Sequence, residues 1–260
     1  MKELVIVPTY KREELLWLCL EAIRREDALI PVYVFSDHAE DSKDFAAVCH
    51  GHFCTPMVRP EHNYFGNSYN VIESMRALLR AYSELEILHL IEDDTILHPG
   101  YFSWARAKLA NGNYQAVCGH IGNHLDTWYT SPCASWNVAC LRKCLEFVPE
   151  GYFCETREGM QKILDECEHF KASRFRYGSA EQDGFFLRCI EHFGWRTAFP
   201  EKPLCTHLGW HGYNRPRSDG PVGTLPEKIA WTRKLLADTR RRYELFGQRI
   251  TDAEMAGANQ

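Results

Sequence analysis

Apolar positions along the 260-residue chain fall into two periods. Short unbroken runs, LVIV (4–7) and PVYVF (31–35), have the length and β-branched content of buried strands, and FCTPMV (53–58) reads as a weaker third. Between them Leu15, Leu16, Leu18, Cys19, Ala22 and Ile23 recur at helical spacing, and 41–48 fits another helix. From Asn67 to Tyr82 the apolar residues Val71, Ile72, Met75, Leu78 and Leu79 predict an amphipathic helix capped by Asn67 or Ser68. A fourth strand, Glu86 to Ile91, then runs into three consecutive acids, Glu92, Asp93 and Asp94.

Strands alternating with helices at this spacing predict an α/β fold with a mostly parallel central sheet flanked by helices. Ligands of such sheets sit beyond the carboxyl ends of the strands. Polar residues gather there: Pro8, Thr9 and Tyr10 after the first strand, Asp37 after the second, and the acids after the fourth. Beyond Phe102 the alternation breaks, with apolar segments at 116–123 and 133–138 and a helix from Arg157 to Glu168. The reading is one domain over 1–225, its halves meeting near residue 100, followed by a C-terminal helical appendage over 226–260 whose helix runs from Glu227 to Phe246.

Composition adds bounds. The chain has 45% hydrophobic residues and a net charge of −5, enough apolar material for a large core and no general basicity for indiscriminate nucleic-acid binding. It has no apolar run long enough to predict membrane insertion, and its start lacks the order of a signal peptide, which predicts a cytoplasmic protein with most of its eleven cysteines reduced. CHGHFC (49–54) packs four metal-ligand types into six positions, yet an extended segment would turn them to alternating faces. It reads as a strand edge with buried cysteines, a zinc site being the alternative.

Three adjacent carboxylates repel, and a divalent cation beside a phosphate relieves them. Asp94, with Asp93 as a second candidate, suits Mn²⁺ or Mg²⁺, and Glu92 suits ribose hydroxyls; the alternative is a solvated loop. In SAEQDGFF the acids Glu181 and Asp183 stand at the start of an apolar helical stripe, where the helix dipole favours an ionised carboxylate able to accept a proton. An ordinary first-turn acid would look the same. THLGWHGYNR (206–215) offers His207 as a metal ligand or phosphate contact, His211 as a weaker one, and Arg215 as a phosphate clamp.

The order VPTYKR, strand-terminal SDH, IEDDTILHPGYF, AEQDGF and HLGWHGYNR resembles GT-A (Rossmann-like) glycosyltransferases, closest to the inverting family 2 type. The acidic segment is also similar to the EDD segment of N-acetylglucosaminyltransferase I, and HNYFGNSYN (62–70) resembles a segment of small bacterial and phage glycosyltransferases. The resemblance spans about residues 3–215 and implies a nucleoside-diphosphate sugar as donor. It implies that Pro8, Thr9, Tyr10, Arg12 and Asp37 cradle the nucleotide, with Asn63 or Asn67 helping at the nucleotide or sugar and Arg215 at the phosphates. Asp94 and His207 would hold the metal, Glu92 and Asp93 would face ribose or sugar hydroxyls, and Asp183 would be the catalytic base. The triplet departs from the usual Asp-any-Asp pattern, since a glutamate reaches one methylene further.

The acceptor is a saccharide or, on the phage resemblance, a hydroxymethylated DNA base. Between Glu227 and Arg249 seven basic residues face three acidic ones, a solvated face or a contact for an anionic acceptor. Two rivals use comparable sheets: a sugar-nucleotide nucleotidyltransferase, against which the first strand leads into PTYKR and not a Gly-rich phosphate loop, and a non-catalytic nucleotide-sugar binding module.

Overall fold

The computed structural model describes residues 2–37, 43–59, 67–120, 129, 132–154, 156–174, 180–208, 223–237 and 241. The chain divides into two compact units, residues 1–207 and 208–260.

In the first unit the alternating patterns become β1 (Glu3–Thr9), α1 (Glu13–Glu26), β2 (Val32–Ser36), α2 (Lys43–Gly51), β3 (Thr55–Val58), α3 (Asn67–Ala81) and β4 (Ile87–Ile91). These strands pair in parallel in the order β3-β2-β1-β4. Beyond β4 the expected break occurs: β7 (Cys133–Asn137) joins it antiparallel, β6 (Ala116–Cys118) pairs antiparallel with β7, and β8 (Thr197–Ala198) closes a seven-stranded sheet. The sheet is flanked by helices, including α4 (Tyr101–Ala110), α5 (Val138–Glu146), α6 (Arg157–Glu166) and α7 (Gln182–His192). A separate two-stranded sheet of β5 (Thr95–Leu97) and β9 (Cys205–His207) lies outside the pattern that periodicity predicts.

The core follows the apolar stripes. Val71, Ile72, Met75, Leu78 and Leu79 of α3 are buried with Leu4, Ile6, Leu88 and Leu90 of the central strands, and Trp136, Tyr129 and Phe186 form a cluster of tilted rings with centroids 5.1–5.6 Å apart. Fully burying each such aliphatic side chain contributes roughly 1.5–3 kcal/mol, so this layer fixes the strand ends from which the site is built. One polar residue interrupts β4: His89 is buried, its Nδ1 2.7 Å from Ser135 Oγ and its Nε2 3.3 Å from Glu3 Oε2.

CHGHFC differs from the expected strand edge. It is the end of α2 and a turn in which Phe53 adopts φ +53°. Cys49 and Cys54 are buried as expected, but His52 is turned inward with Nδ1 2.9 Å from Val48 O. Among the described residues the segment belongs to no metal-ligand group, and all eleven cysteines are free thiols. Among the described residues no helix is long and apolar enough to cross a membrane.

In the second unit residues 225–237 are helical, so the expected Glu227–Phe246 helix begins two residues earlier than predicted, and its expected end lies outside the described residues. Thr224 and Glu227 start it: the Glu227 carboxylate accepts from Thr224 N at 2.8 Å and Thr224 Oγ1 at 2.9 Å, satisfying a donor that the first turn leaves open. Ile229, Thr232 and Leu236 form its buried stripe.

Candidate metal and nucleotide-sugar site

The parallel register of β1 and β4 pairs Ile6 with Leu90, so the chain reaches Thr9 on one strand level with Asp93 on the next. At that level β4 ends in a turn. Glu92 N donates to Pro132 O at 2.9 Å and Thr95 N donates back to Glu92 O at 2.9 Å, closing a four-residue turn over the three acids. The turn gives each carboxylate its own partners: Asp93 meets Thr9 and Arg12, Asp94 meets Arg12 and His207, and Glu92 meets Gln182.

Asp93 goes inward. It is fully buried and accepts from Thr9 Oγ1 at 2.6 Å, from Arg12 Nε at 3.2 Å and from Arg12 Nη2. Asp94 is buried between Arg12 and His207: Oδ2 accepts from Arg12 Nη1 at 2.8 Å, and Oδ1 lies 3.3 Å from His207 Nε2, an ion-pair distance without hydrogen-bond alignment. Glu92, half-buried, accepts at Oε1 from Gln182 Nε2 at 3.4 Å. His207 arrives from far along the sequence because β9 pairs antiparallel with β5 and places it opposite Thr95.

Electrostatics follow from these contacts. Burial pushes the Asp93 carboxyl up to about 6, with the charge of Asp94 adding to it and Arg12 and Thr9 pulling the other way. Burial works upward on Asp94 too, but the Arg12 guanidinium and His207 together hold it well below the usual carboxylate range. Burial would lower His207, yet the neighbouring Asp94 raises it. His120, with its ring centroid 5.6 Å from that of His207, is lowered to about 4 by burial and then by the charge of His207, and stays neutral at physiological pH.

The residues present fit a divalent cation. Glu92, Asp94 and His207 each bring a ligand atom within 4.8 Å of the others, and among the described residues they are the one such group. Asp94 Oδ1 is a buried oxygen that no hydrogen bond satisfies, which a cation would satisfy. Two carboxylates with one imidazole suit Mn²⁺ better than Mg²⁺, which favours all-oxygen shells.

The structure therefore brings together Thr9, Arg12, Glu92, Asp93, Asp94 and His207. Pro8 is buried, Tyr10 is half-buried with Lys11 Nζ 5.3 Å from its ring centroid, and Asp37 is buried at the end of β2 with its N–H donating to Thr9 O at 3.1 Å. Asp183 stands half-exposed in the first turn of α7, next to Gln182, which touches Glu92. Asn67 is the exposed first residue of α3, adjacent in sequence to Ser68, which donates to Gln182. Asn63, His211 and Arg215 lie outside the described residues. Of the residues expected at the donor, Asp93 is enclosed by Thr9 and Arg12, and Arg12 directs all three guanidinium nitrogens at Asp93 and Asp94.

Four contributors escape sequence reasoning. Gln182 links three elements: its Nε2 reaches Glu92, its Oε1 accepts from Ser68 Oγ at 3.1 Å, and its N–H donates to the same hydroxyl at 3.0 Å. Ser68 is thereby the second. Arg59 follows β3 and donates to Asn70 Oδ1 at 2.8 Å and Ser74 Oγ at 3.0 Å, with its cation 5.3 Å from the Tyr69 ring centroid. The signal was available in α3, where Ser68, Asn70 and Ser74 are polar yet buried beside the apolar stripe. His120 is the fourth, hidden in an aromatic-rich stretch.

No protein-family model matches the sequence, nor does any curated protein sequence. Solved structures do. S. aureus TarS (residues 1–349) superposes with a TM-score of 0.54 at 12% identity, covering 81% of this chain and 61% of that one. A cytidylyltransferase from Leptospira borgpetersenii serovar Hardjo-bovis gives 0.48 at 10% identity over 78% of each chain, and the glucosyl-3-phosphoglycerate synthase of Mycobacterium tuberculosis gives 0.38 at 14% identity over 54% of this chain and 58% of that one. The chain thus spans about three fifths of the TarS chain it matches. At these identities the likeness concerns architecture: the protein has an α/β fold of the GT-A, Rossmann-like type, with a mostly parallel central sheet between helices.

Proposed function

We propose that the protein is a metal-dependent, inverting glycosyltransferase that moves a sugar from a nucleoside diphosphate to an acceptor hydroxyl. The observation that carries this reading is the group Glu92, Asp94 and His207 at the carboxyl edge of the parallel strands, with the buried Asp94 Oδ1 atom approached by His207 Nε2 at 3.3 Å and otherwise without a hydrogen bond. Thr9, Tyr10 and Asp37 border the same edge, where a GT-A-type sheet receives a nucleotide. Asp94 and His207 hold Mn²⁺ or Mg²⁺, with Glu92 as third ligand or as a ribose contact. The cation supplies charge stabilisation to the departing diphosphate.

The chain's own residues do the rest. Asp183 accepts the proton of the acceptor hydroxyl as that oxygen attacks the anomeric carbon opposite the leaving phosphate, which gives inversion in a single displacement. Gln182 holds the base's helix against Glu92, so the two halves of the site share one hydrogen-bonded frame. Arg59 and Asp37 lie together at the ends of β2 and β3, where a nucleobase edge would be read. The start of α1 speaks against a phosphate-cradling nucleotidyltransferase loop: its first turn carries Glu13 and Glu14, and its cap is Arg12 with no glycine near.

The acceptor is a saccharide or a hydroxymethylated DNA base. The DNA reading is supported by the basic C-terminal segment, in which Arg233, Lys234 and Arg241 are exposed. The test is a panel of nucleotide sugars incubated with the protein and Mn²⁺ or EDTA. Metal-dependent release of free sugar is the expected result; pyrophosphate-dependent formation of a nucleoside triphosphate establishes the nucleotidyltransferase, and binding without turnover establishes the binding module. Transfer to hydroxymethylcytosine DNA that weakens steeply with salt identifies the DNA acceptor, and strict use of saccharides excludes it.

A further inference from the structure

We infer that Leu29 and Phe53 form a peripheral docking point for an anionic phospholipid bilayer, at the amino edge of the parallel strands and opposite the acidic turn. Leu29 precedes β2 and Phe53 precedes β3, so both lie where those strands begin. The inference stands apart from the glycosyltransferase reading. Among the described residues these are the most exposed large hydrophobic side chains, at 91% and 90%, the next being Met57 at 40%. Single exposed apolar residues are ordinary, whereas two held side by side mark a contact surface.

One side chain holds the two together. Arg24, near the end of α1, donates from Nη1 to Ile30 O at 2.6 Å, from Nη2 to Phe53 O at 3.0 Å and from Nε to His52 O at 2.7 Å. A single guanidinium thus ties the α1–β2 connection to the α2–β3 connection. Asp27 Oδ1 fixes the first from its other side, accepting from Leu29 N at 3.1 Å and Ile30 N at 3.0 Å. In the second, Phe53 takes φ +53°, a left-handed conformation that bulky residues rarely adopt. The next residues, Ile30 and Cys54, are buried, so each connection turns one side chain in and the preceding one out. Tips held this firmly lose little freedom when they are covered.

Area and charge identify the occupant. Two side chains supply well under the roughly 800 Å² per partner that a stable protein interface buries. A bilayer needs no complementary pocket, because each inserted apolar side chain contributes on its own. The charges beside the tips select anionic headgroups. Arg24 donates only to backbone carbonyls and the Cys54 thiol, so no carboxylate offsets its charge. Arg25 and His50 are exposed and make no ion pair among the described residues. The neighbouring acids are turned to the body of the fold: Glu26 accepts from Gly100 N at 2.7 Å, and Asp27 pairs with Arg106 at 2.7 Å. Against a chain that carries −5 overall, this basic point turns the amino edge toward an anionic surface and the acidic turn away from it.

The experiment is co-sedimentation of the full chain with phosphatidylcholine vesicles and with vesicles containing about one quarter phosphatidylglycerol. Wild type is expected to bind the anionic vesicles, and the neutral ones more weakly. The double variant Leu29→Ser with Phe53→Asn, asparagine being at ease in the left-handed region, is expected to lower binding at least about tenfold. Arg25→Gln is expected to lower binding to anionic vesicles about fivefold and to leave the neutral ones unchanged. Wild type that sediments with neither vesicle overturns the inference. So does equal binding by wild type and the double variant, which assigns the contact to another segment such as the basic residues after Glu227. Sedimentation velocity without lipid supplies a further check: self-association of wild type that the double variant abolishes gives the tips to a second copy and overturns the bilayer. If the double variant does not fold, unchanged binding of Arg25→Gln to anionic vesicles overturns it.

Discussion

Replacing Thr9 with valine isolates one contact beneath the site. Valine matches threonine in shape and is at least as favourable in a strand, so the exchange removes the hydroxyl and little else. That hydroxyl is buried and donates at 2.6 Å to Asp93 Oδ2, an oxygen that water does not reach. A hydrogen bond to a charged group contributes about 1.5–3 kcal/mol. Arg12 Nε still donates to the same oxygen at 3.2 Å, which keeps the loss toward the lower end, at roughly 2 kcal/mol. For a unit of this size such a loss lowers the melting temperature by about 4–8 °C. Urea unfolding of wild type, Thr9→Val and Thr9→Ser measures it, with serine expected to recover most of the loss because it keeps the donor. Valine and wild type unfolding at the same denaturant midpoint would refute the claim that Asp93 is an internal anchor held from β1.

Other consequences follow from the same geometry. Asp183→Asn should lower transfer at least about a hundredfold while Mn²⁺ binding stays at the wild-type level, and near-normal transfer would remove Asp183 from the mechanism. Gln182→Ala should unpin Glu92 and the start of α7 together, lowering turnover with little change in the melting temperature; an unchanged turnover would show that the frame is incidental. Glu3 is held down to about 2, first by its hydrogen bond from His89 and, against burial, by Arg106. Its folded value is depressed, so its stabilisation is present above its unfolded value of about 4.5 and is lost as pH falls from there toward 2. The stability difference between wild type and Glu3→Gln should therefore shrink across that window in acid denaturation titrations, and a difference constant with pH would contradict the assignment.

Much of the first half was legible from periodicity alone. The alternation from β1 to β4 shows in runs of four or five apolar residues and in helical stripes, because each element there is long enough to express its period. The small sheet of β5 and β9 is not legible: each strand has three residues, too few for alternation, and their pairing is a tertiary fact. That pairing is what delivers His207 to Asp94, so the metal group was visible as residue types and invisible as a place. The three acids show the same limit. Sequence presents them as equivalent neighbours on a strand end, whereas the turn between Glu92 and Thr95 separates one anchor, one carboxylate facing His207 and one bridge to α7. Arg12 stood in the motif VPTYKR, but the left-handed Lys11 that swings it over the turn leaves no mark in composition.

The central claim is that a divalent cation sits between Asp94 and His207 and carries the donor diphosphate. Crystals grown with Mn²⁺ and the nucleotide sugar that is turned over, measured at the manganese absorption edge, test it most directly. The account predicts an anomalous peak about 2 Å from both Asp94 Oδ1 and His207 Nε2, with diphosphate oxygens completing its shell. A bound nucleotide sugar with no anomalous peak at that position, or a peak held by other residues, would contradict it.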